Sequence, residues 1–318
     1  MGNCQIPREL ADYIENGGFT WDRLPLTGAN MDDYGKGIVI TALGVLFVVP
    51  DSLYVRLIEA DDLVIAFWRL MISGLLILAG VLGLMGGSAI RRSLSTGMPG
   101  VVYVVLLGST GPGFVLAISQ TSVANVVFIF ASMPIFAAIF GLVFLGEPIS
   151  KRMILTMIAV AAGLSIIAYG SSESELASWK GDLWAVYVCI AYAGALTAAR
   201  QARHVSLVPA IPLAYIGSAV LIAPFISPLA PVEGQWHLLL GHGAFIAIAT
   251  FFLTLGPRYL SSAEVSLMIL LESVLAPILV WLVIGEDPGR PSIVGGVIVI
   301  AALVASNVVA LRYRSGKN

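Results

Sequence analysis

Long apolar runs separated by short polar or basic breaks fill the chain from about residue 37 to residue 311. A bilayer core takes roughly 20 apolar residues per helix. Runs of that kind predict ten spans, at 37–55, 63–86, 100–119, 124–145, 153–170, 182–202, 211–230, 237–256, 264–284 and 292–311. Pro212, Pro224 and Pro228 interrupt the seventh. Proline is tolerated there when neighbouring helices satisfy the freed carbonyl. The expected fold class is an all-α polytopic membrane protein.

The pattern is duplicated. Residues 122–147 open Ser-x-Ala and close Leu-Gly-Glu; residues 261–286 open Ser-x-Ala and close Ile-Gly-Glu. The intervening apolar runs have equal length, and the separation is far longer than a solenoid period. Duplicated membrane units are typical of secondary transporters. The expected organisation is a first five-helix repeat at 37–170, a linker at 171–181, and a second repeat at 182–311. A polar, acidic extension occupies residues 1–36 and a short tail 312–318, both read as cytosolic.

Basic residues orient the spans. With the N-terminus inside, thirteen fall inside, among them Arg91, Arg92, Lys151, Arg152, Arg200 and Arg258. Arg56, Lys180 and Arg290 fall outside, and Arg69 lies within a span. That split satisfies the positive-inside rule and an even number of crossings. Five spans per half then insert the second half upside-down, so Gly146–Glu147 faces the cytosol and Gly285–Glu286 faces out. Alternating access follows from such inverted repeats.

Composition agrees. Hydrophobic residues are 58% and charged residues 11% of the chain, against about 25% charged in soluble domains. Nothing points to nucleic acid. Cys4 and Cys189 give no disulfide framework. His237 and His242 diverge on a helix, and neither they nor His204 shows metal-site spacing. No cofactor is expected. Met1-Gly2-Asn3-Cys4 hints at N-terminal acylation, but Ile6 breaks the motif. No Walker loop is present.

Several stretches are similar to a known family. They are Ala-Phe-Trp-Arg at 66–69, Met-Pro-Ile-Phe-Ala-Ala at 133–138 closing on Leu-Gly-Glu-Pro at 145–148, and Leu-Leu-Glu-Ser at 270–273 closing on Gly-Glu at 285–286. In their order and spacing the chain resembles the EamA-type members of the drug/metabolite transporter superfamily. The resemblance implies a transporter of small polar metabolites, commonly an exporter of amino acids or related compounds. The family's Leu-Glu-Pro is here Leu-Glu-Ser. Ser273 therefore removes the proline that would bend the ninth helix.

Charges inside spans cost about 3 kcal/mol each on insertion scales, so each needs a reason. Asp51 and Arg69 fall at matching depths, roughly 21 Å from the inner face and 9 Å from the outer one. They are read as a structural ion pair. Alternatively, Arg69 receives a substrate carboxylate on its planar fork. Glu272 lies about 11 Å above the inner face with no basic residue at its depth. It is the candidate for proton coupling, with a neutral hydrogen-bonded Glu as the alternative. Gly111-Pro112-Gly113 in the third span predicts a broken helix lining a site, or else tight helix contact through small residues. Tyr187, Tyr192 and Tyr215 are deep enough to line a polar cavity. The expected substrate-binding set is Arg69, Gly111, Pro112, Gly113, Tyr187, Tyr192 and Glu272. Gln120 and Asn125 are read as caps. Glu147 and Glu286 are read as structural or gating groups at the water boundary.

The resulting expectation is a secondary transporter of the inner or plasma membrane. It moves an amino acid or related metabolite, outward and with proton coupling. Export of hydrophobic amines or drugs is the alternative. An intramembrane enzyme lacks a His-Glu-x-x-His or Gly-x-Ser-x-Gly motif, and a channel lacks a pore loop or charged ring. The expected partners are a small-molecule substrate and the lipid bilayer, and the oligomeric state stays open.

Overall fold

The computed structural model describes residues 33–120, 126, 129–130, 132–170, 179–227, 234–284 and 289–315. Expectations on the first 32 residues and on Ser122, Ala124, Asn125, Pro228, Gly285 and Glu286 lie outside them. Among the described residues there is no strand. The first half contains α1 (Asp33–Val48), α2 (Asp51–Leu57), α3 (Asp62–Leu84), α4 (Ser88–Leu94), α5 (Met98–Gln120), α6 (Met133–Leu145) and α7 (Lys151–Gly170). The second contains α8 (Trp179–Gln201), α9 (Ile211–Ile222), α10 (Trp236–Leu255), α11 (Ser262–Ile269), α12 (Glu272–Ile284) and α13 (Gly289–Ser315).

These helices carry apolar residues all round, as expected of buried or membrane helices. Leu75, Val143, Phe144 and Leu221 point outward, where only lipid would shelter them. Among the described residues six stretches are long and apolar enough to cross a bilayer: Asp33–Leu57, Asp62–Leu84, Met98–Gln120, Trp179–Gln201, Val208–Phe225 and Trp236–Arg258. Met133–Leu145 and Ile293–Ser306 are shorter apolar helices. The chain is a multi-pass membrane protein.

The helices break where the apolar pattern alone did not place breaks. Pro50 has no N–H to give, and the first span divides at Val49–Pro50 into α1 and α2. By contrast, α5 runs unbroken through Gly111-Pro112-Gly113, which corrects the expectation of a broken third helix. Its glycines serve close approach. A Cβ on Gly108 would sit 2.6 Å from the carbonyl oxygen of Ala214. The prolines of the seventh span lie at its ends, Pro212 in the first turn of α9 and Pro224 in a 3₁₀ turn, so α9 is uninterrupted.

The loss of proline at Ser273 does not straighten the ninth span. It is broken at Leu270–Leu271, between α11 and α12. The backbone tightens there: Leu271 N–H donates to Met268 O at 3.0 Å and Val274 N–H to Leu271 O at 3.1 Å. The first half does the same at the matching place. Ser132 N–H donates to Ile129 O and Ile135 N–H to Ser132 O, each at 2.9 Å. Short i→i+3 bonds satisfy the backbone in both copies, so the step needs no proline. After the step α6 ends at Gly146, whose φ of 65° suits a left-handed cap.

Packing respects the duplication. The α5–α8 contact in one direction is mirrored by α1–α10 in the other, and α3–α10 by α5–α9. The α3–α9 and α7–α13 contacts join equivalent helices. Among the described residues these contacts carry over when the halves are exchanged, whereas the α6–α8 and α3–α5 contacts have no counterpart of similar extent. Two core clusters, one around Leu70, Tyr103 and Ile246 and one around Met133, Leu164 and Val299, each draw on both halves.

Gly108→Ala should destabilise the protein by about 1–3 kcal/mol through overpacking. Gly83→Ala, where nothing lies within 4 Å of the added Cβ, should leave stability unchanged. Thermal unfolding in detergent checks both.

Candidate functional site

The break at Pro50 decides where the first charge goes. Asp51 lies in the first turn of α2, where the helix N-terminus favours an acid. The α3 helix brings Arg69 to it. Arg69 Nε donates to Asp51 Oδ1 at 3.0 Å and Nη2 to Oδ2 at 2.6 Å, a bidentate pair. A third member enters from α10: His242 Nε2 lies 2.6 Å from Asp51 Oδ1. The three are sealed, with 1% of Asp51, 8% of Arg69 and 0% of His242 exposed. Tyr54 stacks on the imidazole, ring centres 5.4 Å apart and 10° from parallel. A carboxylate can only accept, so Nε2 carries the hydrogen. Nδ1 has no hydrogen-bond partner among the described residues. The ion pair inferred from matching depths is present, with a histidine as its further support.

Beside this network is a cavity of about 80 Å³. Asp51, Arg69 and Glu272 all face it, which corrects the separation in depth expected for Glu272. A straight-rod estimate ignores the step between α11 and α12. That step starts α12 at Glu272 and places the carboxylate in its first turn. Among the described residues Glu272 makes no ion pair or hydrogen bond. Arg69 spends Nε and Nη2 on Asp51, so Nη1 is the group left for the cavity. Its guanidinium also lies 5.8 Å from the ring centre of Phe114.

The rest of the wall is mixed. Phe114, Phe130 and Tyr192 supply aromatic surface, and Thr110 and Thr250 supply hydroxyls. Tyr215 shares a 2.7 Å hydrogen bond with Thr250, and Tyr103 one of equal length with Thr254. Of the residues expected to bind substrate, Arg69, Gly111, Tyr192 and Glu272 meet at this cavity. Pro112 and Gly113 do not line it; a Cβ on Gly113 would approach Val188 at 3.0 Å, a helix contact. Tyr187 is 39% exposed and stands edge-on to Trp184, on the outer surface. Sequence reasoning missed His242, Phe114 and Thr250. A histidine inside an apolar run was the available signal for the first.

A second set of charges ties the halves together at the other end of the helices. Arg200 of α8 donates to Glu147 at 2.7 Å and to the carbonyls of Pro257 and Arg258. Arg152 of α7 pairs with Glu264 of α11 and also donates to Ser306 Oγ at 3.0 Å. Glu264 closes a capping box with Ser261 and accepts from Tyr34. Between these pairs and the cavity lies a buried plug that includes Val45, Leu196, Leu253 and Met268.

With the geometry described, comparison with known proteins decides the family. The model of the EamA-like transporter family matches residues 35–169 and again 179–308. The chain belongs to the EamA-like transporter family. It is also similar to the pseudopaline exporter CntI of Pseudomonas aeruginosa, recorded from strains UCBPP-PA14 and PAO1. The identity is 28% over 256 residues, spanning 76% of this chain and 84% of the relative. A solved crystal structure of another protein matches with a TM-score of 0.74 and 16% identity, covering 87% of this chain and 98% of that one. That likeness is one of fold. This EamA-type chain is therefore a transporter by family.

Removing one partner of a buried pair costs about 3–5 kcal/mol. Asp51→Asn, which strands Arg69, should sharply lower the yield of monodisperse protein. Asp51→Asn with Arg69→Gln should recover most of it, read by gel filtration in detergent.

Proposed function

We propose that this protein is a secondary active transporter that exports a small polar metabolite, an amino acid or related compound, by alternating access. In this reading it crosses the inner or plasma membrane ten times, as two inverted five-helix halves with both termini in the cytosol. The supports are the excess of basic residues at one face, the odd number of spans per half, and the contacts α5–α8 with α1–α10 and α3–α10 with α5–α9, which carry over when the halves are exchanged. Discontinuous helices at equivalent places in the two halves are the usual setting of a transporter's site.

One observation carries the substrate class. The cavity has a cationic wall and an anionic wall, Arg69 Nη1 and the unpaired Glu272. A zwitterion would put its carboxylate on the first and its ammonium on the second. Glu272 holds a proton when the site is empty and gives it up as the ammonium arrives. Substrate and proton then alternate on one carboxylate, which is the requirement for antiport. That CntI is an exporter supports the outward direction. In the same reading the Arg200–Glu147 and Arg152–Glu264 pairs close the cytosolic end and separate when the halves rock.

The aromatic wall of Phe114, Phe130 and Tyr192 favours a second substrate class, hydrophobic amines. These would use Glu272 and ignore Arg69. The two are distinguished in proteoliposomes offered a ¹⁴C-labelled amino-acid mixture. Wild type should show trans-stimulated exchange and accumulation driven by a pH gradient. Glu272→Gln should abolish the pH-driven accumulation and leave a weakened exchange, since the ammonium loses its anionic partner while Arg69 still holds the carboxylate. Unchanged pH-driven accumulation in Glu272→Gln would end the proton role, and no exchange of any amino acid by wild type would end the zwitterion reading.

A further inference from the structure

Most helix glycines here let another element come close: a Cβ would collide at Gly37, Gly44, Gly74, Gly108, Gly163 and Gly194. Gly80 of α3 is different. Nothing lies within 4 Å of its missing Cβ, and the residue is exposed. It forms the floor of a groove of about 530 Å³ between α3 and α10, well within the size range of ligand pockets. The walls are apolar throughout and include Leu76, Leu84, Ala247 and Phe252. From Leu76 to Leu84 the helix rises ~12 Å. That nearly matches the ~15 Å acyl layer of a single leaflet, half of the hydrocarbon core.

The groove is polarised. One end is closed by Met85 and by Val208, which belongs to the 3₁₀ turn Val208–Ala210. The chain turns back at Gly86 (φ 73°) into α4, and α4 packs directly on that turn. α4 carries Arg91 and Arg92, both exposed, in its last turn. An apolar slot of about one-leaflet depth is thus closed at one end by a turn on which an arginine-bearing helix packs. Arg side chains at a headgroup surface select anionic lipid.

We propose that this groove is a binding site for an anionic phospholipid. One acyl chain fills the slot over Gly80, and the phosphate meets Arg91 and Arg92. The leaflet is the cytosolic one, and that detail alone rests on the membrane orientation given under the proposed function. The site is separate from the charged cavity, so it acts on stability and on the α3–α10 contact rather than on the substrate.

The test is native mass spectrometry of the full chain. The protein is taken from vesicles of equal palmitoyl-oleoyl phosphatidylglycerol and palmitoyl-oleoyl phosphatidylethanolamine, with folding monitored by gel filtration. Wild type should keep one phosphatidylglycerol, at least fivefold over phosphatidylethanolamine. Gly80→Leu, which fills open space, should lower the retained lipid at least fivefold. Leu84→Gln at the exposed rim is a second variant and should lower it as well. Arg91→Gln with Arg92→Gln should bring the two lipids to equal occupancy. Bare wild type, equal retention of both lipids by wild type, full retention in both Gly80→Leu and Leu84→Gln, or a lipid preference that survives loss of both arginines would each overturn the proposal. Failure of the transport reading would leave these results unchanged, and reporter fusions that invert the topology would alter only the leaflet.

Discussion

A guanidinium inside a membrane protein has to be neutralised before anything else can be built around it. Arg69 is neutralised by a single carboxylate that grips it with both oxygens. Much of the architecture follows from that need. The chain breaks at Pro50 so that Asp51 can start a helix beside α3. The second half supplies His242 from α10 to occupy the same carboxylate. One network therefore joins α2, α3 and α10 and crosses the boundary between the repeats. It also sets the chemistry of the neighbouring cavity. Arg69 spends two of its nitrogens on Asp51 and retains only part of its fork for a ligand, and Glu272 is the cavity carboxylate without an ion-pair partner among the described residues.

The duplication gives the fold its symmetry, and the site departs from it. Both halves step at the same place with the same pair of i→i+3 bonds, at Ser132 and at Leu271. After the step the first copy presents Met133 and the second presents Glu272. Backbone geometry is shared, and the titratable group belongs to one half only. The Asp51–Arg69 pair is likewise confined to the first half. A duplicated scaffold supplies two equivalent helix steps, while the chemistry beside them is built once.

Much of the scaffold was legible in the sequence because its signals are strong and local. Apolar runs of membrane length and the repeat of one pattern in the second half need no tertiary information. The Asp51–Arg69 pair could be foreseen because two buried charges at similar depth must find each other. The errors have a common source, which is that depth along a straight rod is a poor guide to position. Glu272 was placed too far from Arg69 because the step at Leu270–Leu271 rests on backbone bonding, not on a proline. Gly111-Pro112-Gly113 left a break and a close helix contact equally open, and the structure takes the second, its glycines answering to Leu70 and Val188 on neighbouring helices. His242 was set aside because spacing along α10 says nothing of Asp51, which is distant in sequence. Tyr187 and Tyr192 are on one helix and differ in the face they turn inward, which only packing decides.

The central claim is that the cavity walled by Arg69 and Glu272 opens in turn to each side of the membrane. Thr110 lines that cavity. The most direct measurement places Thr110→Cys in a background free of Cys4 and Cys189 and exposes it to a membrane-impermeant methanethiosulfonate reagent. Right-side-out and inside-out vesicles are labelled separately. The account predicts modification from both sides, with a substrate slowing both reactions. Labelling from one side only, under every substrate and pH condition, would contradict it.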